Sequence, residues 1–137
     1  MHADISRHFI AVFVMVSLVT SAACHNSRTE NAEEARPLSE RIVGEWTSDP
    51  FRSQVGMTTE QFCFGADGKL FSRTEINGIP GFSTNTGTYR LVGDQVTMSW
   101  PSTDSSADLE VTFSTDRLVL TSHPGGPRSF RRTSDGC

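Results

Sequence analysis

The chain has 137 residues, with 12 Lys and Arg against 16 Asp and Glu and a formal net charge of −4. That balance, without a clustered basic footprint, excludes the electrostatic design of a nucleic-acid-binding protein. A chain of this length holds one domain with a modest core, so a disulfide would matter to its stability.

Residues 9–19, "FIAVFVMVSLV", follow Arg7 and His8 and precede the small residues Ser21, Ala22 and Ala23. This is the three-part layout of a secretory signal, here expected over residues 1–23. The apolar run is about 11 residues, and a membrane-spanning helix needs roughly 20. Ser21 and Ala23 also suit ordinary cleavage, which favours small side chains.

Cys24 directly follows "SAA" and so resembles the lipobox of bacterial lipoproteins, although Ser21 stands where a strong lipobox carries Leu. The resemblance implies a mature chain that begins at a diacylated Cys24 and is held on a membrane by that lipid. Several acyl chains on one residue make such an anchor stable. Because His25 rather than Asp comes next, the resemblance points to the outer membrane. Without acylation the protein would be periplasmic or secreted. The cysteine count agrees with an anchor: of three cysteines, lipidation uses one and leaves Cys63 and Cys137 as a pair. Removing residues 1–23 takes away Asp4 and Arg7 together, so the net charge is unchanged.

Residues 24–36 read as a lipidated N-terminus and tether, because "HNSRTENAEEAR" is polar, mixed in charge and without apolar period. The domain is expected over residues 37–137. It opens with "PLSERI", residues 37–42, a candidate for one helical turn with Pro at its start.

From Arg41 onward, runs rich in Val, Ile, Thr and aromatics alternate with clusters of Gly, Asp, Asn and Pro. Eight strands are expected, near 41–47, 58–64, 69–76, 84–92, 95–100, 107–114, 117–122 and 128–133. In "DLEVTFS", Leu109, Val111 and Phe113 share one face while Asp108, Glu110 and Thr112 share the other. Val96, Met98 and Trp100 group in the same way. "GADG", "GD" and "TD" are short enough for tight hairpins, whereas "SDPFRSQVGM", "NGIPGFS", "PSTDSS" and "HPGGP" are longer. In an up-and-down arrangement the short turns fall at one end and the long loops at the other. The expected fold is therefore all-β, an eight-stranded antiparallel up-and-down barrel with a tight end and an open end. Closure removes the sheet edges, and eight strands leave room for side chains or one small ligand. A two-layer β-sandwich is the alternative, since it uses the same alternation.

"IVGEWTS" at the first strand resembles the G-x-W motif that opens lipocalins, with Gly44 and Trp46 in its two positions. The likeness extends to the compact lipocalin-like domains of bacterial lipoproteins through Phe62, Phe64, Asp67 and Gly68 and through "GTYRLVGD" at 87–94. It implies a barrel whose Trp packs at the closed end beneath the helical turn. An Arg near the last strand, Arg131 or Arg132, would stack across it. It also implies transport of a small apolar molecule, although no Arg-x-Tyr pair for a carboxylate stands near the C-terminus.

Catalytic chemistry has little to draw on, and neither a metal nor a cofactor is expected. His123 is the sole histidine of the expected domain and sits in the turn-rich "SHPGGP". "GFSTN" lacks the closing Gly of a nucleophile elbow, and "GADGK" offers one carboxylate where a calcium loop needs several oxygens. More informative are Phe51, Met57, Ile79 and Phe82 in the expected long loops, with Trp100 at the same rim. Aromatics there line a pocket or partner surface, or else fold inward and plug the barrel. Two functions follow: a lipid-anchored module binding a small apolar molecule, or an envelope protein that presents its loops to another protein.

Topology also pairs the remaining thiols. The second and eighth strands run toward the tight end, Cys63 lies near the finish of one and Cys137 follows the other after "SDG". Two lateral spacings of about 4.8 Å separate those strands in a closed barrel, a gap that the short tail can span. A Cys63–Cys137 disulfide is expected.

Overall fold

The computed structural model describes residues 35–137. The expected signal peptide and the expected lipid site Cys24 lie outside the described residues. The chain enters through α1 (Leu38–Arg41), where Pro37 supplies the first carbonyl: the N–H groups of Glu40 and Arg41 donate to it at 3.0 and 3.1 Å. Pro fits here because its fixed φ suits a helix start and its missing N–H would have had no partner.

Nine strands follow: β1 (Gly44–Ser48), β2 (Phe51–Ser53), β3 (Gly56–Phe64), β4 (Lys69–Ile76), β5 (Ile79–Val92), β6 (Gln95–Trp100), β7 (Ser105–Ser114), β8 (Arg117–Ser122) and β9 (Gly126–Ser134). Consecutive strands pair antiparallel from β3 to β9. β1 closes the circle by pairing with β3 on one side, Trp46 opposite Phe62, and with β9 on the other, Ser48 opposite Phe130. The result is a closed eight-stranded barrel with β2 as an extra strand, so the sandwich alternative falls away. Closure leaves no free edge along β1, β3 or β9 in the lower barrel.

The short turns fall together at the closed end as expected, spanning residues 65–68, 93–94 and 115–116. The open end differs from the expectation of four long loops. After a break at Asp49 and Pro50, Phe51 pairs with Thr58 and Ser53 with Gly56, so most of "SDPFRSQVGM" is hairpin. "NGIPGFS" is a loop only at Asn77 and Gly78, whose φ values of 51° and 74° give the mirror-image turn that Asn-Gly adopts readily. β5 then starts at Ile79, and a register shift between Thr74 and Ile76 absorbs its extra residues. Pro80 and Gly81 read as loop in sequence, yet a bulged strand with one paired side tolerates both. The first strand starts at Gly44 rather than 41, because Arg41 and Ile42 belong to the helical turn and its cap.

Alternating side chains fill the closed half of the barrel. Ile42, Trp46, Phe64, Leu70, Val96, Met98, Val111, Leu118, Leu120 and Phe130 form one buried cluster. Cys63 and Cys137 are joined, with Cα atoms 5.6 Å apart across a sequence separation of 74. The bond ties the tail after β9 to the end of β3, on either side of β1.

Candidate functional site

Above the filled core the inward positions change character. On β3, Phe64 and Phe62 are followed by Glu60 and Thr58; on β4, Leu70 is followed by Ser72 and Thr74. Cross-strand register keeps these on one face, with Phe64 opposite Leu70, Phe62 opposite Ser72 and Glu60 opposite Thr74. On β5, Asn85 lies opposite Ser72, and on β9, Arg128 lies opposite Leu120, so both point inward. The barrel is thus apolar at its base and polar toward its mouth.

A cavity of about 380 Å³ occupies this upper half. Its lining includes Glu60, Phe62, Ser72, Asn85, Trp100 and Ser105. The volume lies at the small end of the range for small-molecule sites, ~300–1,000 Å³. β6 pairs with β5 only from Thr88 to Val92, so Asn85 lies beyond the paired stretch.

Trp100 is the aromatic wall of the cup, and it is fixed from two sides. Its Nε1–H donates to Ser72 Oγ at 3.1 Å, across β5. Gly87 makes that reach sterically possible. A Cβ there would collide with the main-chain oxygen of Ser99 and come within 3.2 Å of Trp100 Cδ1. A bare glycine is what lets the indole cross the neighbouring strand.

Opposite stands an ion pair. Arg128 donates through a terminal guanidinium nitrogen to Glu60 Oε2 at 2.5 Å, and its Cζ lies 5.1 Å from the centroid of Phe51. Ser48 Oγ accepts the main-chain N–H of Glu60 at 2.9 Å, which anchors the carboxylate's backbone to β1. Asn85 Nδ2 donates to Ser83 Oγ at 3.1 Å. At the rim, Thr103 and Ser105 share a 2.6 Å hydroxyl contact.

The expected site residues separate. Trp100 lines the cup, while Phe51 lies at its edge beneath Arg128. Ile79 and Phe82 are 63% and 62% exposed, so they do not plug the barrel. They stand in β5 near Met57, which is exposed as well, and Val55 joins them from the adjacent turn. Asn77 ties the two hairpin tips: its N–H donates to Met57 O at 2.7 Å and its Oδ1 accepts from Met57 N at 3.0 Å. His123 stands apart on a turn, exposed, with its Nε2 3.8 Å from Glu110.

Three arginines of β9 have three different partners. Arg128 faces the lumen, Arg131 meets Asp49 at 3.0 Å, and Arg132 covers Trp46 with its Cζ 4.4 Å from the ring centroid. Among the described residues, no group of three or more His, Cys, Asp and Glu side chains is placed to hold a metal ion.

Glu60, Ser72, Asn85 and Arg128 were not among the residues expected from sequence. The usable signal was a charged residue at an inward position, Glu60, in phase with Phe62 and Phe64. No family model, curated protein or solved structure matches this chain.

Proposed function

We propose that this chain is a lipid-anchored envelope protein whose barrel binds a small molecule in the cup at its open end. The observation that carries the reading is the cavity above the core, walled by Trp100 and Phe62 and edged by hydrogen-bonding side chains. A pocket with apolar walls and a few convergent polar groups is the usual form of a small-molecule site. The lining moves the expected ligand from a purely apolar molecule to one with polar groups. The resemblance to lipocalins gains support from Arg132 over Trp46 beneath α1. The anchor rests on "SAAC". The tether joins the domain at its closed end, so an anchored barrel would hold its cup away from the membrane surface.

A second reading has one specific observation in its favour. Val55, Met57, Ile79 and Phe82 are all exposed on neighbouring hairpin tips, and exposed apolar clusters mark protein interfaces. Native mass spectrometry of protein purified from its own host separates the two. A co-purifying small molecule supports the cup, and an empty barrel with a discrete protein partner supports the rim. Detergent partitioning of Cys24→Ala tests the anchor: the variant should become soluble or stay uncleaved, and unchanged partitioning would sink it.

A further inference from the structure

We infer that the cup takes a neutral, polyhydroxylated ring, a saccharide unit, with its C–H face on Trp100 and its hydroxyls on the surrounding polar side chains. This rests on the small-molecule reading and names the ligand class.

Three properties of the lining narrow the chemistry. The first is charge compensation. Glu60 is satisfied by Arg128. A cation or an anion entering the cup would have to compete with a partner already in place, so a neutral ligand is favoured.

The second is hydrogen-bonding density. Ser72, Thr74, Asn85, Thr103 and Ser105 line the same small space as Glu60. A fatty chain would shut these groups off from water and return no hydrogen bonds, which is the expensive case for polar groups. Hydroxyls both donate and accept, so they can meet a mixed set of hydroxyl, amide and carboxylate partners. Glu60 accepts, Asn85 does both, and the serine and threonine hydroxyls rotate to suit.

The third is the aromatic wall. The Trp100 Nε1–H is already used on Ser72, so the indole is held in one orientation and contributes its apolar surface. Phe62 completes that wall, itself packed on Phe130 with ring centroids 5.5 Å apart. A sugar ring combines a C–H face with an equatorial fringe of hydroxyls, which matches a lining of this kind. A flat apolar ring would leave the polar edge unpaired, and a chain of free methylenes would leave it worse.

The test uses the full chain, disulfide intact, in detergent. Neutral sugars (glucose, N-acetylglucosamine, and a short oligomer of the latter), palmitate, choline and inorganic phosphate are titrated by calorimetry and by ligand-observed NMR. Saturable binding of a neutral sugar, weakened tenfold or more by Asn85→Ala and abolished by Trp100→Ala, is the expected result. Asn85→Ala keeps the test valid if Trp100→Ala fails to fold. Tighter binding of the oligomer identifies the end of a glycan as the source, and equal binding identifies a free sugar. Saturation by palmitate, choline or phosphate, with no sugar bound, overturns the saccharide assignment but leaves the small-molecule reading standing. No binding from any class overturns both.

Discussion

The Arg132 guanidinium covers the Trp46 indole at 4.4 Å and at the same time donates to the carbonyls of Val43 at 2.9 Å and Arg41 at 2.6 Å. Trp46, 1% exposed, returns its own Nε1–H to Ile42 O at 2.8 Å. One arginine from the last strand thus satisfies the end of α1 and the chain that leads from it, and it covers the largest buried ring.

Arg132→Ala should cost about 2–4 kcal/mol, because it removes two charge-assisted hydrogen bonds and the cation–π contact together. Arg132→Lys should recover only part, since an ammonium lacks the planar fork that reaches both carbonyls. Denaturant unfolding followed by tryptophan fluorescence gives both values. A loss below about 0.5 kcal/mol in the alanine variant would show that the closed end does not depend on this residue.

The Cys63–Cys137 bond closes a loop of 74 residues in sequence separation. Loop-closure entropy puts its contribution on the order of 4 kcal/mol. Replacing both cysteines with serine should lower the melting temperature by more than about 10 °C, given the usual size of the shift per kcal/mol in a domain of this length. Mass mapping of non-reduced, alkylated protein checks the pairing itself, and two free thiols in oxidised material would refute it.

Tyr89, the one tyrosine of the chain, donates its hydroxyl to Gly65 O at 2.8 Å. Burial raises its pKa, and the nearby Asp67 carboxylate adds to the effect. The folded protein therefore holds the phenol proton more tightly than the unfolded chain does. The resulting stability is complete below the unfolded phenol pKa, near ~10, and is lost as pH rises through the folded value. Tyr89→Phe should flatten that alkaline decline. Tyrosinate absorbance gives the titration without interference from other tyrosines, and an ordinary phenol pKa in the native state would contradict it.

Asp49 carries the opposite sign. A hydrogen bond from Arg117 is the main cause of its lowered pKa, and the charges of Arg117 and Arg131 reinforce it. Its contribution is present above the unfolded carboxyl pKa and disappears as pH falls through the folded value. Asp49→Asn should reduce the acid dependence of stability in melts taken across the carboxylate range. The effect should be small, because the carboxylate is half exposed and solvent screens it.

Phe82→Ser discriminates between a rim surface and a barrel plug. At 62% exposure the change should alter stability by less than about 1 kcal/mol, as surface substitutions do. A plug would cost several kcal/mol on truncation. Thermal melts of the variant decide, and large destabilisation would mean that Phe82 packs inward in solution.

Local chemistry determined the eight barrel strands, though not β2, together with the closed-end turns and the helical start, because period-two alternation, two-residue Gly-Asp and Thr-Asp turns and a leading Pro each act over a few residues. The pairing of Cys63 with Cys137 was also legible, since strand direction alone brings both to one end. Tertiary structure decided the rest. Glu60 meets Arg128 from 68 residues away and Trp100 meets Ser72 from 28. The first pair exists only once β1 closes the barrel between β9 and β3, and the second only once β4, β5 and β6 align in one sheet so that Trp100 reaches across β5. The open end followed the same logic. Pro80 and Gly81 look like loop in isolation, but pairing along β4 and the Asn77–Gly78 turn continue the hairpin through them. A strand's existence is a local property, whereas what faces what across a barrel depends on the register at which the sheet closes.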